Sequence, residues 1–196
     1  MRNKTIAMTT IALAVAINIV GSKISILLSL PLFLDSIGTM LAAITLGPVA
    51  GGLTALVGGL LNTVLGDRYA IYFAMSGVLM GVIAGLLFYK KKLTYLSAVW
   101  KCLLVVLPAS ALSSCIETFL FDGITSAVVT TFIIQALAAT GMKLLGRAFI
   151  TQLATDYVDK LIGIAIVISC VKYLPTEMRT LNEKKKTGAK AAPVTK

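Results

Sequence analysis

Seven apolar stretches divide the chain: Ile6 to Gly21, Phe33 to Leu46, Val49 to Leu65, Ile71 to Tyr89, Leu96 to Leu120, Ile124 to Gly141 and Phe149 to Val171. Most of the basic residues lie in the intervals between them or beyond the last. A helix rises about 1.5 Å per residue, so crossing the apolar core of a bilayer takes about 20 residues. Several of the stretches are shorter than that, and seven candidates therefore compete for crossings. The first, preceded by Arg2 and Lys4, has the layout of a signal peptide but no convincing small-residue cleavage site, and it reads as a retained first helix.

The basic residues choose among the candidates. Arg2 and Lys4 place the N-terminus inside, and the triplet Lys90, Lys91, Lys92 belongs inside as well. A first helix outward, a second inward to Gly47 and Pro48, a third outward to Gly66 and Asp67 and a fourth inward to Lys90 satisfy both. A fifth then runs outward to Glu117 and Asp122. Beyond the last stretch, Pro175 marks a stop, and Lys172, Arg179, Lys184, Lys185, Lys186, Lys190 and Lys196 form a basic tail. A cytoplasmic tail requires an even number of crossings. Ile124 to Gly141 is accordingly read as an apolar helix packed on the outer side of the bundle or re-entering it. The expected fold is an all-α integral membrane protein, a compact six-helix transmembrane bundle with an additional apolar helix between the last two crossings. Residues 1–174 would form the membrane domain and 175–196 a basic cytoplasmic tail.

Composition places the chain in the same class: 58% of residues are hydrophobic, 13% are charged and the mean hydropathy is +0.94, far from soluble usage. The net charge of +10 sits in runs between apolar segments, which suits lipid headgroups and topology rather than nucleic acid. No histidine occurs, so imidazole is excluded as metal ligand or base. Cys102, Cys115 and Cys170 are widely spaced and read as small hydrophobes. Gly47 to Gly59 lacks the lysine and hydroxyl residue of a phosphate-binding loop, and no nucleophile and base pair stands out. Neither an enzyme, a metal site nor a cofactor is expected.

Small residues mark helix contacts. Ala12 and Ala16 share a face, with Ala14 and Asn18 nearby, and suit either packing within the subunit or docking on a second membrane protein. Gly51, Gly52, Gly58 and Gly59, and the stripe Gly77, Gly81, Gly85, suit close contact inside the subunit.

Polar residues at helix ends are the candidates for binding, since ionisable groups in a membrane are costly unless paired or functional. Asp35, with Ser36 beside it, is expected to cap the second helix at the rim of an outward ligand cavity, and capping and facing the ligand can hold together. Asn62 needs a partner, from another helix or a ligand. Asp67, Arg68 and Tyr69 join it, with Tyr72 and Phe73 as stacking surfaces. Glu117 ends the fifth helix. In TDYVDKLIG, Asp156 and Lys160 lie four apart on one face beside Asp159, either as an ion pair or as a hold on a polar ligand head. Together they suggest a small-solute pocket at the outward end.

The stretch Asp35 to Asn62, DSIGTMLAAITLGPVAGGLTALVGGLLN, resembles the second and third helices of substrate-binding S components of energy-coupling factor (ECF) vitamin transporters. The turn of leucine, glycine, proline and then small residues is most similar to the riboflavin-type branch. Ala12-x-x-x-Ala16 resembles the alanine motif of the first helix in that family, and TDYVDKLIG and the basic tail also look like it. The resemblance implies six membrane helices, capture of a vitamin or related micronutrient near the outer face, and association with a transmembrane coupling subunit and two cytoplasmic ATPase subunits. It implies docking through Ala12 and Ala16, a gate formed by Ser22 to Leu34, and a site among Asp35, Asn62, Asp67, Glu117, Asp156 and Lys160, with Tyr72 alongside. The pocket residues do not match a riboflavin, thiamine or biotin site. Two other readings stand beside this one: a structural or sensory membrane subunit, and a small secondary transporter, which would ordinarily be longer and show inverted repeats.

Overall fold

In a computed structural model, residues 2–91 and 95–171 are described. They form α1 (Arg2–Leu27), α2 (Ile37–Leu46), α3 (Pro48–Val64), α4 (Ala70–Phe88), α5 (Tyr95–Phe121), α6 (Val128–Ala136), a 3-10 turn (Leu137–Thr140) and α7 (Leu144–Val171). No strand occurs among the described residues. The expected tail, 175–196, lies outside them, as do Lys92 and Lys172.

Three described helices are long and apolar enough to cross a bilayer: Lys4–Leu27, Ala70–Phe88 and Tyr95–Phe121. α7 has the length, at 28 residues, but carries Arg147, Asp156, Asp159 and Lys160. α2 has only 10 residues, a rise of about 15 Å and roughly half the apolar thickness. The apolar stretch ending at Leu46 is thus only partly helical, and its first residues are a non-helical connection. The stretch from Ile124 to Gly141 forms the short α6 and its 3-10 turn, as expected of an extra helix between the last two long ones.

Residues Leu46, Gly47 and Pro48 make the sharpest reversal in the chain. Gly47 has φ +110°, a left-handed conformation that glycine adopts without a Cβ penalty, and its N–H reaches the carbonyls of Ala42 and Ala43. Pro48 opens α3 at the position where a missing N–H costs nothing. From there α3 and α4 pack backbone to backbone. A Cβ on Gly81 would lie 2.6 Å from the Gly51 backbone, and one on Gly85 would lie 2.3 Å from Pro48. A Cβ on Gly59 would meet that of Ala74 at 2.6 Å. The every-fourth-residue stripe therefore packs inside the subunit.

α1, α3 and α5 run toward one end of the molecule and α2, α4 and α7 away from it, as the shared contacts of their termini require. The end away from α2's first turn is solid. Ile44, Phe88, Cys102, Val105, Ile164 and Val167 are all buried there in one cluster, which extends through Met40 and Met80 to the floor of the other end. Cys115 and Cys170 are exposed and Cys102 is buried, each as a free thiol.

Gly81→Val should lower stability by about 1–3 kcal/mol, the usual cost of overpacking, seen as a drop of several degrees in thermal unfolding in detergent. Gly146→Ala, whose added Cβ would meet only Met142 at 3.5 Å, should leave the midpoint unchanged. An equal drop in both would show that α3 and α4 are not held by close contact at Gly81.

Candidate functional site

Because α2 begins half-way along the bundle, the space beyond its first turn is not filled by helix. A cavity of about 130 Å³, counted as room for the centres of water molecules, opens there, roughly ten times what one water needs. Its wall comes from the C-terminal turns of α1 and α3, the first turns of α2 and α4, the C-terminal half of α5, the α5–α6 connection and the middle of α7. The connection from residue 28 to 36 covers one side with Leu30, Phe33 and Asp35. Most of the polar wall consists of hydroxyls and amides, including Ser22, Ser25, Thr39, Asn62, Ser113 and Gln152.

One buried ammonium ties the wall together. Lys160 Nζ lies 3.1 Å from Asp156 Oδ1 and 2.8 Å from Asp159 Oδ2. Asp156 also accepts a hydrogen bond from Ser110 Oγ at 2.7 Å, which joins α5 to α7. Asp159 accepts from the Leu34 N–H at 2.9 Å and from Ser36 Oγ at 3.1 Å. Leu34 has φ +51°, a backbone state that costs an ordinary residue about 1–3 kcal/mol. The bond from Asp159 helps hold it there. Two carboxylates around one cation leave this buried group with a net charge of −1.

Asn18 of α1 makes the second anchor. Its Oδ1 accepts from the N–H groups of Gly38 at 2.7 Å and Thr39 at 3.3 Å, and its Nδ2 donates to Thr39 Oγ1 at 2.8 Å. These are the donors that a helix N-cap side chain normally satisfies. The cap of α2 is thus supplied from another helix. A Cβ on Gly38 would lie 1.8 Å from the Ala14 carbonyl oxygen, so α1 can approach closely enough to supply it. This corrects the expectation that Asp35 caps α2: Ser36 is the N-cap residue and makes no side-chain cap bond, while the Asp35 side chain is exposed toward the cavity.

Five of the sequence candidates line the cavity: Asp35, Asn62, Asp67, Asp156 and Lys160. Tyr72 does not. It is 47% exposed and packs edge-on against Phe121, while the adjacent Phe73 stacks on Phe121 and reaches the cavity. Glu117 is fully buried behind the wall, and neither carboxylate oxygen has a hydrogen-bond partner in normal geometry. Ala12 and Ala16 are exposed on the outer face of α1, whereas Ala14 and Asn18 are buried. The segment expected as a gate, Ser22 to Leu34, is divided: α1 continues to Leu27 and only the residues from 28 form a loop. Ser25 donates to the Leu32 carbonyl across that turn.

Sequence reasoning missed the role of Asn18 and the cavity positions of Ser22, Ser25 and Gln152. The signal was present in α1, where Asn18, Ser22 and Ser25 recur at helical spacing on one face of an otherwise apolar segment.

A family model for the substrate-specific component of ECF transporters matches residues 7–175. The chain belongs to that family. No curated protein and no solved structure matches it. Members are membrane transport subunits rather than enzymes, they bind small-molecule substrates, and they associate with membrane and ATPase subunits. As an ECF substrate-specific component, the chain carries a helical body with one end filled by apolar side chains and a polar-lined cavity toward the other.

Lys160→Met should destabilise the protein by about 3–5 kcal/mol, because Asp156 and Asp159 would be left buried without their cation. Adding Asp159→Asn should recover part of that loss. Denaturant unfolding in detergent measures both, and a silent Lys160→Met would show that the carboxylates have another partner.

Proposed function

We propose that this ECF component is the substrate-capture subunit of an ATP-driven importer for a vitamin or related micronutrient. The observation that carries this reading is the cavity itself. Asn62 and Gln152 line it, and the side-chain oxygen of each is buried without a hydrogen-bond partner among the described residues, at one end of a bundle whose other end is filled by apolar side chains. Buried acceptors without donors cost about 1–3 kcal/mol each, and a bound solute is the natural donor. A structural subunit has no need of them.

The proposed topology has six crossings with both termini cytoplasmic. It is supported by the alternating helix directions and by Lys90 and Lys91 at the end remote from the cavity. The second crossing combines α2 with the non-helical residues that precede it. The turn at Leu46, Gly47 and Pro48 supports placement in the riboflavin-type branch. That turn is far from the cavity, so it bears on ancestry and not on cargo.

Energy is proposed to come from partners, a transmembrane coupling subunit and two cytoplasmic ATPases. Docking is assigned to the outer face of α1, where Ala12 and Ala16 are small, exposed and one turn apart, a spacing that permits close helix contact. Asp35 is assigned to the solute.

Asp35→Ala should weaken solute binding by about tenfold, with little change in thermal midpoint, because the side chain is exposed to the cavity and caps no helix. Equal losses of binding and folding would remove Asp35 from the site. Ala12→Trp and Ala16→Trp should reduce recovery of the coupling subunit in co-purification by about tenfold while solute binding persists. Full recovery with both variants would move the docking face elsewhere.

A further inference from the structure

The charges that face the cavity do not cancel. Asp35, Asp67, Asp156 and Lys160 line it, and Lys160 is committed at 3.1 and 2.8 Å to Asp156 and Asp159. That cluster carries a net charge of −1, and Asp35 and Asp67 add two more carboxylates. Lys160 is the sole cation lining the cavity among the described residues. Two others stand near the rim. Lys23 donates to the Leu65 carbonyl at 3.0 Å, and Arg68 is exposed to solvent; neither lines the cavity.

The neutral wall has the same polarity. Asn62 is 4% exposed and Gln152 is 2% exposed, and the side-chain oxygen of each lacks a donor. They approach from opposite sides, on α3 and α7. An anion would face three uncompensated negative charges here and would leave both amide oxygens unpaired. A neutral solute could satisfy the amides but would leave the charges as they are.

We infer that the cavity selects a small organic cation, a positively charged nitrogen compound bearing at least two N–H or O–H donors. The positive charge sits between the carboxylates that line the cavity, Asp35 and Asp67 among them, and the donors serve the amides of Asn62 and Gln152, whose buried oxygens turn toward the solute as it binds. This rests on the capture reading above and narrows it to one class of substrate.

The test is retention of metabolites by the full chain in nanodiscs of zwitterionic lipid. The protein is incubated with the fraction of yeast extract below 1 kDa at pH 7.5, washed and denatured, and the released compounds are identified by mass spectrometry and sorted by charge. Empty nanodiscs are the blank. The expected result is a released cation. Its affinity should fall by about tenfold or more in Asp35→Asn or Asp67→Asn, and should weaken as salt is raised from 50 to 500 mM on the order expected of screened charges. Should either variant fail to elute as a monodisperse species, the salt dependence of the unaltered protein decides alone. A released anion or neutral compound, or a cation whose affinity ignores salt, overturns the charge assignment and leaves the capture reading intact. Release of nothing above the blank overturns the capture reading, and the substrate class with it.

Discussion

Lys160 is the group on which the cavity depends. A buried ammonium is tolerated only with partners, and its two carboxylates are each tied to another part of the chain. Asp156 reaches α5 through Ser110, and Asp159 reaches the connection before α2 through Leu34 and Ser36. Three segments that would otherwise close on an empty space are held around it. An apolar residue at 160 would leave both carboxylates buried without a cation, so the cluster fixes the geometry of the wall as a unit.

The late start of α2 is the other half of the arrangement. A helix that begins inside a membrane protein exposes N–H groups where no water is certain to reach them. Asn18 answers this from α1, and Gly38 allows the approach. At the far side, the glycines of α3 and α4 bring those helices into backbone contact. Their packing gives a rigid wall that carries Asn62 and Phe73 toward the cavity. Close packing at one end and incomplete filling at the other are thus both built from small residues, used in one case to remove space and in the other to place a donor-accepting amide.

Much of this was legible in the sequence because it depends on local pattern. Apolar stretches gave the helices, the glycine stripe gave the α3–α4 contact, and TDYVDKLIG gave Asp156 and Lys160 at a spacing of one turn. The misreadings concern partners distant in the chain. Asp35 stands just before α2 and looked like its cap, but the cap comes from Asn18, and no spacing rule connects residue 18 with residues 38 and 39. Tyr72 and Phe73 are neighbours with equal claim to a stacking role, and only the position of Phe121 separates the one outside from the one inside. Asp159 seemed to tune Lys160. It also fixes the left-handed Leu34, a contact across 125 positions.

Stability and binding are coupled in such a site. The unpaired oxygens of Asn62 and Gln152 disfavour the empty folded state. A solute that supplies donors relieves both at once, so its binding free energy contains relief of strain as well as new contacts. Ligand at a hundredfold excess over its dissociation constant stabilises a folded protein by about 2.7 kcal/mol. The side of the cavity formed by residues 28–36 should gain the most, because its backbone is held to α7 chiefly through Asp159. If the proposed capture reading holds, occupancy would act on the covering segment through the Asp159 bonds to Leu34 and Ser36, a physical means of presenting a loaded cavity differently from an empty one.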